Sequence, residues 1–241
     1  MLRVLPTGWG TSRPEDVAAV VRNCADHMLP LFGPNPPGEI WVAFDADGPN
    51  TNKVPDHDGH IIRLSSQDLR WAQLAYQFAH EYCHILMRHW RVPLVHRFRW
   101  FEESICEVSS LFFLRNMSKS WCANPPCANW SSYADNLGAY VDEQMKKVGP
   151  IPSQCELRDW LIPNLPRMMD DPNIRDLNNV VAARLLPLFE QSPSLWAATS
   201  KINLAPKLDG TLSDFFDSWE SSMSESETAI IDPIRMLICG R

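Results

Sequence analysis

Apolar residues recur three or four positions apart along three stretches in the first half of the chain, and this spacing predicts three helices. The predicted helices cover residues 15–31, 65–89 and 99–116. In the second helix, Ser65 and Ser66 are candidate N-caps, and an apolar stripe begins at Leu69. The spacing therefore places a long amphipathic helix in the middle of this half.

Two short apolar segments between these helices are typical of strands. Residues 40–44 and 60–64 are rich in aliphatic and aromatic side chains. Residues 33–38 hold three prolines and predict a loop, and residues 45–59, rich in Asp, Gly, Pro and Asn, predict a second one. The acids of the second loop do not form an EF-hand, because no Glu closes a 12-residue calcium loop at the required position.

The second half of the chain is predicted to be mainly helical. The clearest helices cover residues 133–148 and 178–189, and proline-rich segments at 150–152 and 163–166 separate them. Residues 221–228 are polar and predict a solvated turn or the start of a helix. Together with the two strands, this pattern predicts an α+β protein.

The composition narrows the classes of function. The chain has 241 residues, of which 45% are hydrophobic, and a formal net charge of −7. A mildly acidic protein gains nothing from a phosphate backbone, so we expect no nucleic-acid partner. No window approaches the roughly 20 apolar residues of a membrane span, and no apolar signal-peptide segment is visible, so we expect no membrane association.

The seven cysteines are scattered along the chain, unlike the even, dense set of a disulfide framework. We therefore expect reduced, mostly buried thiols and a cytoplasmic protein. Cys122 and Cys127 flank a short Asn-Pro-Pro segment and are placed to pair if the protein is exported.

The segment His80-Glu81-Tyr82-Cys83-His84 carries the clearest chemistry in the sequence. Histidines four positions apart project from one face of a helix and can bind one tetrahedral metal ion. Glu81 stands beside the first histidine, where a carboxylate can take a proton from an attacking water. The alternative is an amphipathic helix with incidental histidines, but the largely uncharged residues around them favour a buried metal face.

A third ligand is expected on the next predicted helix, where Glu103 follows His84 after eighteen residues. This pattern, His-Glu-x-x-His, eighteen residues and then Glu, resembles the gluzincin clan of zinc peptidases, which includes the thermolysin-like enzymes. The resemblance covers roughly residues 60–110. It implies that His80, His84 and Glu103 bind Zn²⁺, that Glu81 is the general base, and that Glu107 supports a histidine ligand from the second coordination sphere.

The sequence departs from that family at several positions. The Asn-Glu-Gly usual around the glutamate ligand is Glu102-Glu103-Ser104 here, so Glu102 is a rival ligand. The aminopeptidase motif Gly-x-Met-Glu-Asn is absent, and so is the third histidine of the metzincins. His89 misses that third position by one residue and is predicted to be a surface or capping histidine.

The resemblance also implies a fold. A single zincin-like domain spanning residues 1–241 would have a small N-terminal sheet over the active-site helix, within an α/β lobe of residues 1–90. A helical lobe of residues 91–241 would carry the third ligand. The strand that pairs with an extended substrate would be residues 60–64 or 40–44. The donor for the developing oxyanion remains open among four candidates, namely Tyr133, Tyr140, His89 and His96.

Three functions remain open from the sequence. The first is a zinc peptidase that acts on a peptide or protein substrate. The second is a catalytically silent zincin that serves as a sensor or protein-binding module, although such a protein has no need of Glu81. The third is a helical interaction protein without a metal.

Overall fold

The computed structural model describes the whole chain except residues 34–37, 56, 94–95, 151–152, 154–155, 205 and 241. The protein is α+β, with four strands and ten α-helices among the described residues. The strands are β1 (Leu2–Val4), β2 (Glu39–Phe44), β3 (Asn50–Lys53) and β4 (Gly59–Leu64). The two predicted strands are therefore confirmed as β2 and β4, while part of the predicted loop over residues 33–38 lies outside the described residues.

The four strands form one sheet in the order β1-β2-β4-β3. β1, β2 and β4 run parallel to each other, and β3 pairs with β4 in the antiparallel sense. Neither predicted substrate-pairing strand is at an edge, so that prediction is wrong: β2 and β4 are both paired on two sides, as buried apolar strands of a parallel sheet usually are. The edges are β1 and β3.

β3 also corrects the predicted loop over residues 45–59. Its sequence, Asn-Thr-Asn-Lys, has no alternation of apolar and polar residues, and its side chains are half-buried or exposed. A strand of this kind is held by its neighbour, since Thr51 pairs with Ile62 and Lys53 with His60 of β4. Polar edge strands with a lysine also resist pairing with other chains.

The first helices follow the predicted periodicity. They are α1 (Pro14–Phe32), α2 (Trp71–Leu86), α3 (Arg99–Trp121) and α4 (Ala134–Lys147). α3 continues five residues beyond the predicted end at residue 116, because the apolar spacing continues through Met117 to Trp121, both fully buried. A short 3₁₀ helix, Ala128–Tyr133, precedes α4.

α2 begins later than the sequence predicts, and neither Ser65 nor Ser66 caps it. The backbone N–H groups of both serines instead donate to Gln77 Oε1, at 3.1 and 3.2 Å. Asp68 has a left-handed φ of 59°, and its carboxylate accepts a bond from Thr11 N at 2.8 Å. This segment is therefore tied to the N-terminal turn, and helical geometry starts only at Trp71.

Six further helices follow in the described part of the chain. They are α5 (Leu157–Asp170), α6 (Arg175–Gln191), α7 (Leu195–Thr199), α8 (Leu212–Ser221), α9 (Glu225–Thr228) and α10 (Asp232–Cys239). The predicted break at residues 163–166 is wrong, because Pro163 and Pro166 lie inside α5. In that stretch the Asn164 side chain donates to Trp160 O at 2.7 Å, a hydrogen bond additional to the helical ladder. The polar stretch over 221–228 does start a helix, α9, through a capping box of Ser224 and Glu227.

The chain divides into two compact units. The first consists of residues 1–86 and 109–144 and contains the sheet, α1, α2, most of α4 and the larger part of α3. Its core is apolar, with Val21, Val42, Ile62 and Phe78 fully buried. In this unit α2 packs against α1 and β4. The zincin-like likeness of the fold stays a prediction.

The second unit consists of residues 87–108 and 145–241, so helix α3 has residues in both units. Its aromatic core centres on Phe101, whose ring lies 5.5 Å from Phe216 and 6.2 Å from Trp219. Offset and edge contacts of this kind add to the burial of apolar area. Across the described part of the chain, no helix has both the length and the apolar character needed to cross a membrane.

Candidate metal centre

Helix α2 is buried on nearly all of its sides. Every residue from Trp71 to Leu86 except Gln73 is buried, including the polar residues of the His-Glu-x-x-His motif. A helix that is apolar around most of its circumference belongs in a core. The motif therefore lies in the protein interior, where its polar groups are largely shielded from water.

The two motif histidines lie side by side on α2. Their ring centroids are 5.1 Å apart, and the ring planes are inclined by 70°. His80 is 8% exposed, His84 is 3% exposed and Glu81 is 5% exposed. The helical spacing that predicted a shared face for the two imidazoles is thus confirmed, with a buried carboxylate next to the first.

Helix α3 is fixed against α2 by two serine hydroxyls. Ser109 Oγ donates to Ala79 O at 3.0 Å, and Ser110 Oγ donates to Tyr76 O at 2.9 Å. Both serines are fully buried, and their small side chains let the two helix backbones approach closely. Because both carbonyls belong to the motif helix, these bonds set which face of α3 meets α2.

Cys106, one helical turn before the two serines, lies close to both motif histidines. The possible ligand atoms of His80, His84 and Cys106 all lie within 4.8 Å of one another, and all three residues are buried. Ligands of one tetrahedral zinc ion are separated by roughly 3.5 Å, so only small side-chain rotations are needed. Two imidazoles and a thiol at this spacing can hold a metal ion, and the donor set suits a borderline or soft divalent ion.

Cys106 was not among the ligands predicted from the sequence. One signal was available: Cys106 lies three positions after Glu103 and therefore near it on the helix surface. Thiolate is also a common zinc ligand. What the sequence could not supply was the pairing of α2 with α3, which depends on the buried serines.

Glu103, the predicted third ligand, is held by an arginine on its own helix. Arg99 Nε donates to Glu103 Oε1 at 2.9 Å. Burial acts to lower the pKa of Arg99, but the two carboxylates of Glu102 and Glu103 outweigh it and raise that pKa above its usual value. Arg99 is therefore a permanent cation beside the predicted ligand, and the assignment of Glu103 to the metal stays a prediction.

The other two acids of this region also have partners within the second unit. Glu102 Oε2 accepts a bond from Asn203 Nδ2 at 3.0 Å, and both residues are buried. Glu107 Oε1 accepts a bond from Arg175 Nε at 3.0 Å. The roles of Glu102 as rival ligand and of Glu107 as support for a histidine stay predictions.

The four candidates for the oxyanion donor differ in their surroundings. Tyr133 Oη donates to Leu69 O at 3.1 Å and accepts from Ala72 N at 3.4 Å, so this hydroxyl anchors the start of α2. Tyr133 and Tyr140 also line a cavity of about 370 Å³ on the first unit, together with Arg70 and Glu143.

The two histidines among these candidates lie in the second unit. His89 is 3% exposed, so the predicted surface position is wrong: the chain turns at Arg88, with a φ of 61°, and His89 enters a short 3₁₀ helix with its side chain buried. Burial lowers the pKa of His96, although Glu102 opposes the shift. Neither ring nitrogen of His96 has a hydrogen-bond partner among the described residues.

Six cysteines lie among the described residues, and none of them is in a disulfide. Cys24, Cys83 and Cys106 are buried, Cys127 and Cys239 are half-buried, and Cys122 is exposed. Cys155 lies outside the described residues.

Comparisons with protein-family models, with curated proteins and with solved structures found no match for this chain. The resemblance to gluzincins therefore stays an interpretation of the motif.

Proposed function

We propose that this chain is a zinc-dependent peptidase in which Glu81 is the general base. The observation that carries the proposal is the motif geometry: two neighbouring imidazoles, a buried carboxylate between them in sequence, and a thiol within 4.8 Å of the imidazoles. Buried clusters of titratable groups concentrate where function requires them.

His80 and His84 would hold the metal, with a third ligand from α3. Two residues compete for that third position, Glu103 from the motif spacing and Cys106 from the geometry. Three protein ligands leave one position open, which is the arrangement of catalytic rather than structural zinc sites. A bound zinc ion supplies Lewis acidity, which polarises a scissile carbonyl and makes water easier to deprotonate.

Glu81 performs the proton transfers in this proposal. Its carboxylate takes the proton of the water that attacks the peptide carbonyl and then gives it to the leaving amine nitrogen. Because Glu81 is only 5% exposed, bulk water competes little for this proton.

The proposal is tested by turnover of a peptide library and of an unfolded protein, with cleavage read by mass spectrometry. The zinc-loaded wild type should cleave, and Glu81→Gln should be slower by roughly 100-fold to 10,000-fold while it keeps the metal. Glu15→Gln, an exposed position on α1, is the matched control and should cleave like the wild type. Equal rates for Glu81→Gln and wild type would exclude the proposed mechanism.

A metal-binding protein without turnover is the second candidate, and Cys106 favours it. Thiolates are the most common ligands of structural zinc sites, in which four protein ligands close the coordination sphere. If both Cys106 and Glu103 bind, no open position remains. Such a protein would bind one metal and cleave nothing in the same library.

A further inference from the structure

Three acids in the first half of α3 each accept a hydrogen bond from a residue of the second unit. Glu103 is bonded to Arg99 at 2.9 Å, Glu102 to Asn203 at 3.0 Å and Glu107 to Arg175 at 3.0 Å. The Arg99 and Glu103 side chains are only 13% and 10% exposed, so this charge-assisted hydrogen bond is largely shielded from water. A cation beside Glu103 withdraws charge from its carboxylate and makes it a weaker metal ligand than an unshared carboxylate.

We infer that the third protein ligand is the Cys106 thiolate, so that the centre is a two-histidine, one-cysteine site. Cys106 is fully buried, is not in a disulfide, and has its sulfur within 4.8 Å of the ligand atoms of both histidines. The inference rests on the metal binding of the proposed function and is independent of peptidase activity.

The helix register supports this assignment separately from the measured proximity. Ser109 and Ser110 point at α2, and Cys106 lies three and four positions before them, on the same face of α3. Their acceptors are the carbonyls of Ala79 and Tyr76, and His80 follows Ala79 directly and lies one turn after Tyr76. The face of α3 that carries Cys106 is therefore the face that meets the motif helix.

A thiolate ligand changes the chemistry of the centre without removing its open position. Its charge equals that of the carboxylate it replaces, so the net charge of a zinc site with two neutral histidines is the same. The softer sulfur favours Zn²⁺ or Co²⁺ over the hard ions Mg²⁺ and Ca²⁺, which prefer oxygen ligands. The class of metal that the site accepts is thereby narrowed to borderline and soft ions.

The test is cobalt substitution of the full-length protein, read by absorption spectroscopy. Co²⁺ bound to a thiolate gives a near-ultraviolet charge-transfer band, which a histidine and carboxylate site lacks. The wild type should show the band, and Cys106→Ser should lose it. Cys83→Ser, a fully buried cysteine on α2, is the matched control and should keep it.

Zinc affinity from chelator competition gives the second readout. Cys106→Ser should weaken binding by more than roughly 100-fold, beyond the usual loss for a residue outside the first coordination sphere. Glu103→Gln should stay close to the wild type. If Cys106→Ser does not fold, X-ray absorption of zinc-loaded wild type decides, with one sulfur expected at about 2.3 Å from zinc.

The outcomes separate the two proposals. A metal site without sulfur that is lost in Glu103→Gln would overturn the inference and leave the proposed peptidase intact. A sulfur ligand in a protein that cleaves no peptide would support the inference and count against the proposed function. A wild type that binds neither Co²⁺ nor Zn²⁺ would overturn both.

Discussion

Arg99 Nε and Glu103 Oε1 lie 2.9 Å apart across one turn of α3, and the same guanidinium lies 3.5 Å from Glu102 Oε1. One largely buried cation thus contacts two adjacent carboxylates. Glu102 and Glu103 lie three and four positions after Arg99, which is the spacing at which helical side chains meet. The carboxylate that the motif spacing assigns to a metal therefore has a protein cation of its own.

Replacing Arg99 by methionine should destabilise the protein. The change leaves Glu102 and Glu103 buried without their cation, and losing one partner of a buried pair costs about 3 kcal/mol. Urea unfolding would measure the loss. Arg13→Met is the control. Arg13 forms an exposed ion pair with Asp16, three positions further along the chain, so its loss should change the free energy of unfolding little. A loss for Arg99→Met no larger than for Arg13→Met would contradict the role assigned to Arg99.

Gln77 should be important for the start of α2. Its Oε1 accepts from the N–H groups of Ser65 and Ser66, and its Nε2 donates to Ser65 Oγ at 2.9 Å. Gln77→Leu keeps the volume but leaves two backbone donors unsatisfied, at a cost of about 3 kcal/mol in the free energy of unfolding. Gln67→Leu, which loses one exposed bond to Gly8, is the control. Similar unfolding midpoints for both variants would show that Gln77 is dispensable.

His60 on β4 should make the protein sensitive to acid. Burial is the main reason that its pKa falls from 6.5 to about 4; Lys53 lowers it further, and Asp58 opposes the shift. Because the folded pKa lies below the unfolded one, protonation favours unfolding, and stability declines as the pH falls from about 6.5 towards 4. Protonation of His60 alone should lower the free energy of unfolding by about 2 kcal/mol between pH 7 and pH 5.

The measurement is urea unfolding of wild type and His60→Gln at both pH values. The variant should lose less stability on acidification than the wild type. His57→Gln, whose side chain is 49% exposed, should behave like the wild type. If His60→Gln loses as much stability between pH 7 and pH 5 as the wild type, groups other than His60 determine the acid sensitivity.

The elements with strong apolar patterns could be predicted from the sequence, and the others could not. β2 and β4 are short apolar segments that bury Ile40, Val42, Ile62 and Leu64, and α1 has an apolar stripe from Val17 to Phe32, so their patterns are visible in the sequence. β3 has no such pattern, because its pairing with β4 rather than burial makes it a strand. α5 likewise holds Pro163 and Pro166, residues that local rules take as helix breakers.

In the candidate site, too, the part that depends on local spacing could be predicted from the sequence, and the part that depends on helix packing could not. His80 and His84 share a helix face because the spacing is local, so the sequence was sufficient to pair them. Cys106 joins them through the packing of α3 on α2, which depends on serine hydroxyls that bond to backbone carbonyls. The sequence does not show which carbonyl a serine within a helix will bond to. The proximity of Cys106 to the two histidines could therefore not be predicted from the sequence.

The metal content of the protein tests the central claim most directly. The protein should be purified without chelators, reconstituted with Zn²⁺, dialysed and analysed by elemental mass spectrometry. We expect one zinc ion per chain in the wild type and none in the His80→Ala/His84→Ala double variant, with His27→Ala/His57→Ala as the control that keeps the metal. A wild type that holds no zinc after reconstitution, or a His80→Ala/His84→Ala variant that holds as much as the wild type, would contradict the account.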